Sequence, residues 1–197
     1  FLLSPPANLK AIPVVVHIIH DNGNENISDA QVIDAIAELN EDFRKIAGSP
    51  GDGNGVDTEI QFQLATGDPD GNCTNGIVRI QSPLTVPSGF GNHPSEIAMK
   101  DLSRWPNDKY LNIWVVRCVL GDVSTGICSP AINVPNAYTY FPDFIPGTNS
   151  AFDKVDGIVV MHSFFGRSGT AINNITRALT HEVGHWINLL HTWTYYI

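Results

Sequence analysis

Residues 181–191 read HEVGHWINLLH. His181 and His185 are four apart, so on a helix their imidazoles lie on one face, one turn apart. Glu182 leans toward the same space. His191 is too far along to share that face, and the chain must turn near residue 188 to bring it back. Three neutral imidazoles with an open fourth position make the ligand set of a catalytic zinc rather than a closed structural one. A carboxylate outside the ligand set is what such a site needs to take a proton from the zinc-bound water. Ile175, Leu179, Val183, Trp186 and Ile187 form an apolar stripe opposite the histidines, which predicts a helix packed on a core. Asn173 or Asn174 is expected to cap its start.

Upstream, the chain supplies a sheet for that helix to rest on. PVVVHIIH (13–20) is β-branched and nearly continuous in apolar character, the pattern of a buried strand. Ser28 opens SDAQ, a capping-box pattern completed by Gln31, and Val32, Ile33, Ile36, Leu39 and Phe43 recur at helical spacing. A helix is expected over 29–46, stopped near Gly48 and Pro50. Strands are expected at 59–65, 77–81, 110–120 and 137–142, and a strand running into a loop at 155–165. A short helix is expected at 94–103, with Ile97, Met99 and Leu102 inward. Strand, helix and strand in succession suggest a β-α-β unit. No internal repeat is present.

The histidine stretch resembles the zinc-binding consensus of the metzincin metallopeptidases, H-E-x-x-H-x-x-G-x-x-H. His181, Glu182, His185 and His191 match it, and Asn188 stands where the consensus has glycine. Asn is the non-glycine residue that enters the left-handed region most readily, so the helix-ending turn can still form. IPVVVHIIH, NISDAQVIDAIAELNEDFRK, DPDGNCTNGIVR, YLNIWVV, VDGIVV and THEVGHWINLLHTW resemble the pappalysin family, particularly its secreted bacterial members, over about residues 12–193.

The resemblance implies an α/β (α+β) fold of the metzincin or zincin-like upper subdomain. Its parts would be a twisted, five-stranded, mostly parallel sheet with an antiparallel edge strand, a backing helix and the zinc-binding active-site helix. The edge strand would lie near Ala137–Phe141, and substrate backbone would pair with it. The family also has a lower subdomain with a methionine turn beneath the metal. The sequence runs only six residues past His191, and Met99 and Met161 lie upstream of the motif. Residues 1–197 are therefore expected to be mainly the upper subdomain of a catalytic domain, with Met99 and Met161 in its core. Tyr195 and Tyr196 are too close to His191 to be given the role of the family's zinc-side tyrosine.

Together these readings imply a zinc endopeptidase acting on proteins or peptides. His181, His185 and His191 would hold one Zn2+, and Glu182 would be the general base. Two other classes stay open. One is an inactive or fragmentary metzincin domain serving as a binding module, which a peptide-library assay separates from a protease. The other is a zinc hydrolase of small molecules, for which a closed pocket would argue.

Composition sets the outer bounds. Apolar residues at 43% and charged residues at 16% indicate a folded globular chain able to bury a sizeable core. A net charge of −9 makes nucleic acid an unsuitable partner. No stretch is long and apolar enough for a membrane span. The Asn, Gly, Ser and Thr load suits a secreted or extracellular protein. Cys118 and Cys128 flank a short loop and could join, leaving Cys73 single or paired elsewhere; three free thiols are the alternative. Sequons stand at Asn26, Asn72 and Asn174. GDGNGVD (51–57) and DPDGN (68–72) offer the oxygens that Ca2+ favours, though neither has a twelve-residue calcium loop, and plain turns are the other reading. His17, His20, His93 and His162 read as core or rim residues.

Overall fold

The computed structural model describes residues 9–88, 93–118, 154–171, 177–187 and 189. The centre of the sheet is β1 (Lys10–His20), and its residues 14–19 are completely buried. That burial follows from pairing on both sides. On one side β1 pairs with β4 (Leu111–Val116). On the other it pairs first with β2 (Ile60–Leu64) and then, further along, with β3 (Ile77–Gln81). β4 in turn pairs with β5 (Ile158–Met161). Among the described residues all four pairings are parallel, and the order is β2-β1-β4-β5 with β3 end to end with β2. Parallel strands covered on both faces read as continuous apolar runs, which is why this one was legible.

The mostly parallel α/β sheet is thus as expected. The antiparallel edge strand expected over Ala137–Phe141 falls outside the described residues. β1 begins three residues before its expected start and runs through Pro13. Lys10 N donates to Glu59 O and Val14 O accepts from Ala65 N, so even-numbered residues face β2. Pro13 faces the other side, and pairing with β4 begins only at Val14. Its missing N–H is therefore not needed.

Alternation along the strands divides two cores. Val14, Val16 and Ile18, with Ile113, Val115, Ile158 and Val160, face the first helix, α1 (Asp29–Phe43), and the last, α3 (Ala178–Trp186). Ile19, Trp114, Val116, Val159 and Met161 face the opposite way and meet Met99 of α2 (Pro94–Lys100). Both methionines are core residues, as expected.

Each helix departs from expectation in an instructive place. Ser28 Oγ accepts from Gln31 N at 3.2 Å, so half of the capping box is real. The Gln31 side chain does not reach back. Its Nε2 donates to His162 O and Phe165 O, both at 3.0 Å, and its Oε1 accepts from Thr170 N at 2.9 Å. α1 ends at Phe43 rather than at 46, because Lys45 takes a left-handed φ of 47°. Ile46 N then reaches Glu41 O, and Lys45 N reaches Asp42 O, the paired bonds of a Schellman ending with Lys in the glycine place. α2 ends at Lys100 rather than at 103, so Leu102 is exposed, not inward. Glu96 and Lys100 are buried in its stead and pair at 2.7 Å. Among the described residues no helix is long and apolar enough to cross a membrane.

Candidate metal centre

α3 carries His181, Glu182 and His185. Its apolar stripe lies where the spacing put it: Leu179 and Val183 are buried, and Trp186 and Ile187 pack against the same core. Ile175 lies outside the described residues, as do the expected caps Asn173 and Asn174. The helix begins later than expected, at Ala178, with Arg177 as the capping residue at a left-handed φ of 41° and no side-chain cap. The helix start is held from α1 instead. Thr180 Oγ1 donates to Asp42 Oδ2 at 2.6 Å, and Arg177 forms an ion pair with the same carboxylate. An acidic group beside the first turn also suits the positive end of the helix dipole. Arg167, in the loop between β5 and α3, reaches Asp34 and Glu41 of α1 as well.

The two histidines converge. Their Nε2 atoms stand 3.0 Å apart, and the rings are roughly perpendicular with centroids 4.5 Å apart. Two nitrogens each about 2.0–2.1 Å from one tetrahedral ion lie roughly 3.3 Å from each other. The pair is therefore within a few tenths of an ångström of a shared-ion geometry. His185 Nδ1 lies 2.7 Å from Leu189 O. A carbonyl can only accept, so Nδ1 carries the proton and Nε2 keeps its lone pair. That is the tautomer a ligand bound through Nε2 needs, fixed by a contact on its far side. Glu182, the next residue after His181, is 5% exposed.

The helix closes with Ile187 N on Val183 O and Leu189 N on Gly184 O at 2.9 Å. The second of these is the six-residue bond of a Schellman ending. The expectations for Asn188 and His191, and those for Tyr195 and Tyr196, fall outside the described residues. No group of three His, Cys, Asp or Glu suited to an ion occurs among the described residues.

The other histidines have structural partners. His17 is fully buried, bonds Asn112 Oδ1 at 2.9 Å through Nε2 and stacks on Trp114. Burial lowers its pKa to about 4. His20 Nδ1 accepts from Asn22 N, and His93 Nδ1 accepts from Ser95 N at the start of α2. His162 meets Thr170 Oγ1 at 2.8 Å, and burial lowers its pKa. In the acidic turns, Asp68 Oδ1 accepts from the backbone of Asp70 and Asn72, and Asp57 pairs with Arg44. These carboxylates serve their own turns. Cys73 is exposed, Cys118 is buried, and Cys128 lies outside the described residues, as does any pairing that involves it.

Sequence reasoning missed the residues that hold the helix: Asp42, Thr180 and Arg177 at its start, and Asp156 at its end, which accepts from Trp186 Nε1 at 3.1 Å. One signal was available. A tryptophan in a core stripe usually finds an acceptor for its indole N–H, though the sequence does not say which.

No protein-family model matches the chain. An extracellular metalloprotease of Verticillium alfalfae is 30% identical over 169 residues, 86% of this chain and 46% of the relative. One of Colletotrichum graminicola is 24% identical over 184 residues, 92% of this chain and 51% of the relative. The chain thus spans about half the length of the curated relatives it matches. Among solved structures, mature mirolysin of Tannerella forsythia in complex with a cleaved peptide is 35% identical, with a TM-score of 0.71, over 95% of this chain and 66% of that one. Mirolysin in complex with compound 9 gives 33% and 0.72. Over nearly its whole length, then, the chain has the fold of mirolysin, and its homologues are extracellular metalloproteases.

Proposed function

We propose that the chain carries the zinc-binding part of a secreted metallo-endopeptidase, a metzincin of the pappalysin type, with His181, His185 and His191 as zinc ligands and Glu182 as general base. In this reading residues 1–197 supply mainly the upper subdomain of the catalytic domain. The observation that carries it is the 3.0 Å approach of the two Nε2 atoms on one helix. The names of the relatives support a secreted metalloprotease, and mirolysin's complex with a cleaved peptide supports a peptide substrate.

A zinc ion held by these nitrogens would polarise the scissile carbonyl and bring the pKa of a bound water down to about 7. The chain's own residues do the rest. Glu182 takes the proton from the attacking water and passes it to the departing amine nitrogen, so one water is added across the C–N bond. Glu182 follows His181 on α3 and is buried. The Leu189 carbonyl holds His185 in the ligating tautomer. The test is Glu182→Ala in the full-length protein. Zinc content stays at the wild-type level, while peptide cleavage falls by about 10²–10⁴-fold or more. Cleavage at the wild-type rate with zinc bound overturns the assignment of Glu182.

A further inference from the structure

Trp186 follows His185 directly, and its indole Nε1 donates to Asp156 Oδ1 at 3.1 Å. Asp156 is only 6% exposed and also accepts from the Asn107 side chain and the Gly157 backbone. The segment that carries it has little freedom. Lys100 Nζ, fully buried, donates to Val155 O at 2.6 Å. Gly157 has φ +97°, and a Cβ there would come within 2.6 Å of Asn112 O and of the Trp114 ring. Asp156 is thus tied to the start of β5 and, through Lys100, to α2.

Against this fixed point stands the last turn of α3. Its core contacts, through Val183, Trp186 and Ile187, are apolar and carry no preferred direction. The Trp186–Asp156 bond is directional. A rotation of this turn would move His185, and with it the Leu189 carbonyl that orients its ring.

We propose that Asp156 is a positioning residue for the metal centre: through Trp186 it fixes the rotation of the final turn of α3, and so where His185 Nε2 stands relative to His181 Nε2. This rests on the zinc reading above. Supporting contacts of this kind typically change metal affinity by about 10- to 100-fold.

The test uses the full-length protein with two substitutions. Trp186→Phe keeps a ring in the core and removes the donor. Asp156→Ala removes the acceptor. Zinc affinity is read by chelator competition, ligand geometry by the visible spectrum of the cobalt-substituted protein, and turnover as separate kcat and KM. Trp186→Phe is expected to lose about 10- to 100-fold in zinc affinity, to alter the cobalt spectrum and to lower kcat at unchanged KM. Asp156→Ala is expected to shift all three in the same direction. A Trp186→Phe protein with wild-type zinc affinity and cobalt spectrum, changed only in melting temperature, overturns the inference while leaving the zinc reading intact. A wild-type protein that takes up no zinc overturns the zinc reading, and this inference with it.

Discussion

On the helix side of the sheet, Val14, Val16, Ile18, Ile113, Val115, Ile158 and Val160 meet α1 and α3 in aliphatic contact. On the other side, His17, Asn112 and Trp114 share the space with Met99 and the buried Glu96–Lys100 pair. Apolar packing on the helix side gives cohesion but little direction. α3 therefore takes its placement from polar contacts at its two ends, Asp42 with Thr180 and Arg177 at the start and Asp156 with Trp186 at the close. On the far side His17 bonds Asn112, and Lys100 bonds both Glu96 and Val155 O, while His17 Nδ1, Glu96 Oε2 and Trp114 Nε1 have no hydrogen-bond partner among the described residues. Directional bonds between buried groups make that face stiff and intolerant of losing one member of a pair. The helix that bears the candidate ligands rests on the soft face, held at its start by α1 and at its end by Asp156, whose segment Lys100 ties to the stiff side.

The largest expected effect lies on the stiff face. Lys100→Met leaves the Glu96 carboxylate buried without its cation, and unfolding in urea should show a loss of about 3–5 kcal/mol. Adding Glu96→Leu removes the stranded charge and should recover most of that loss. A double variant as unstable as the single one breaks the account of Glu96 and Lys100 as a pair whose members each depend on the other.

His17 gives a pH dependence of known sign. Burial holds its pKa down; the Asn112 bond opposes this and Arg104 adds to it, leaving a value of about 4 against 6.5 in the unfolded chain. Between those values the unfolded chain binds a proton that the folded one refuses. The contribution is present above pH 6.5 and is lost as pH falls toward 4, about 3 kcal/mol in all. Unfolding free energies of wild type and His17→Gln across pH 7 to 4 check this. Equal slopes in the two proteins would place the acid sensitivity elsewhere.

The smallest effect belongs to the helix side. Ile113→Val removes one buried methylene and should cost about 1 kcal/mol, with no dependence on pH. A much larger loss would mean that the aliphatic face also positions its helices closely, and the contrast between the two faces would narrow.

Much of this architecture could be read along the chain. The run Val14–Ile19 gave the central strand because a strand paired on both sides buries every residue. Ser28 marked the start of α1 correctly because N-capping is a local bond. The ends of helices were less legible. Lys45 in a left-handed conformation ends α1 before Gly48, and Arg177 precedes α3 where an asparagine was expected to cap it. In both places long-range contacts override the local preference: Thr58 bonds Phe43 O beyond α1, and Asp42 holds Arg177 and Thr180 at the start of α3. The inward placement of Leu102 failed because α2 stops short and turns Glu96 and Lys100 to the core instead.

By itself the sequence determined what depends on spacing along one element: the facing of His181 and His185, the Leu179–Val183 stripe and the strand that backs them. These follow from the fixed geometry of a helix turn and a pleat. Only the tertiary structure decided which distant groups complete them. Gln31 bonds His162 O across 131 residues, Thr180 bonds Asp42 across 138, and Trp186 bonds Asp156 across 30. Most buried polar atoms find a partner, but which one is set by how the strands and helices pack, and no local pattern records that.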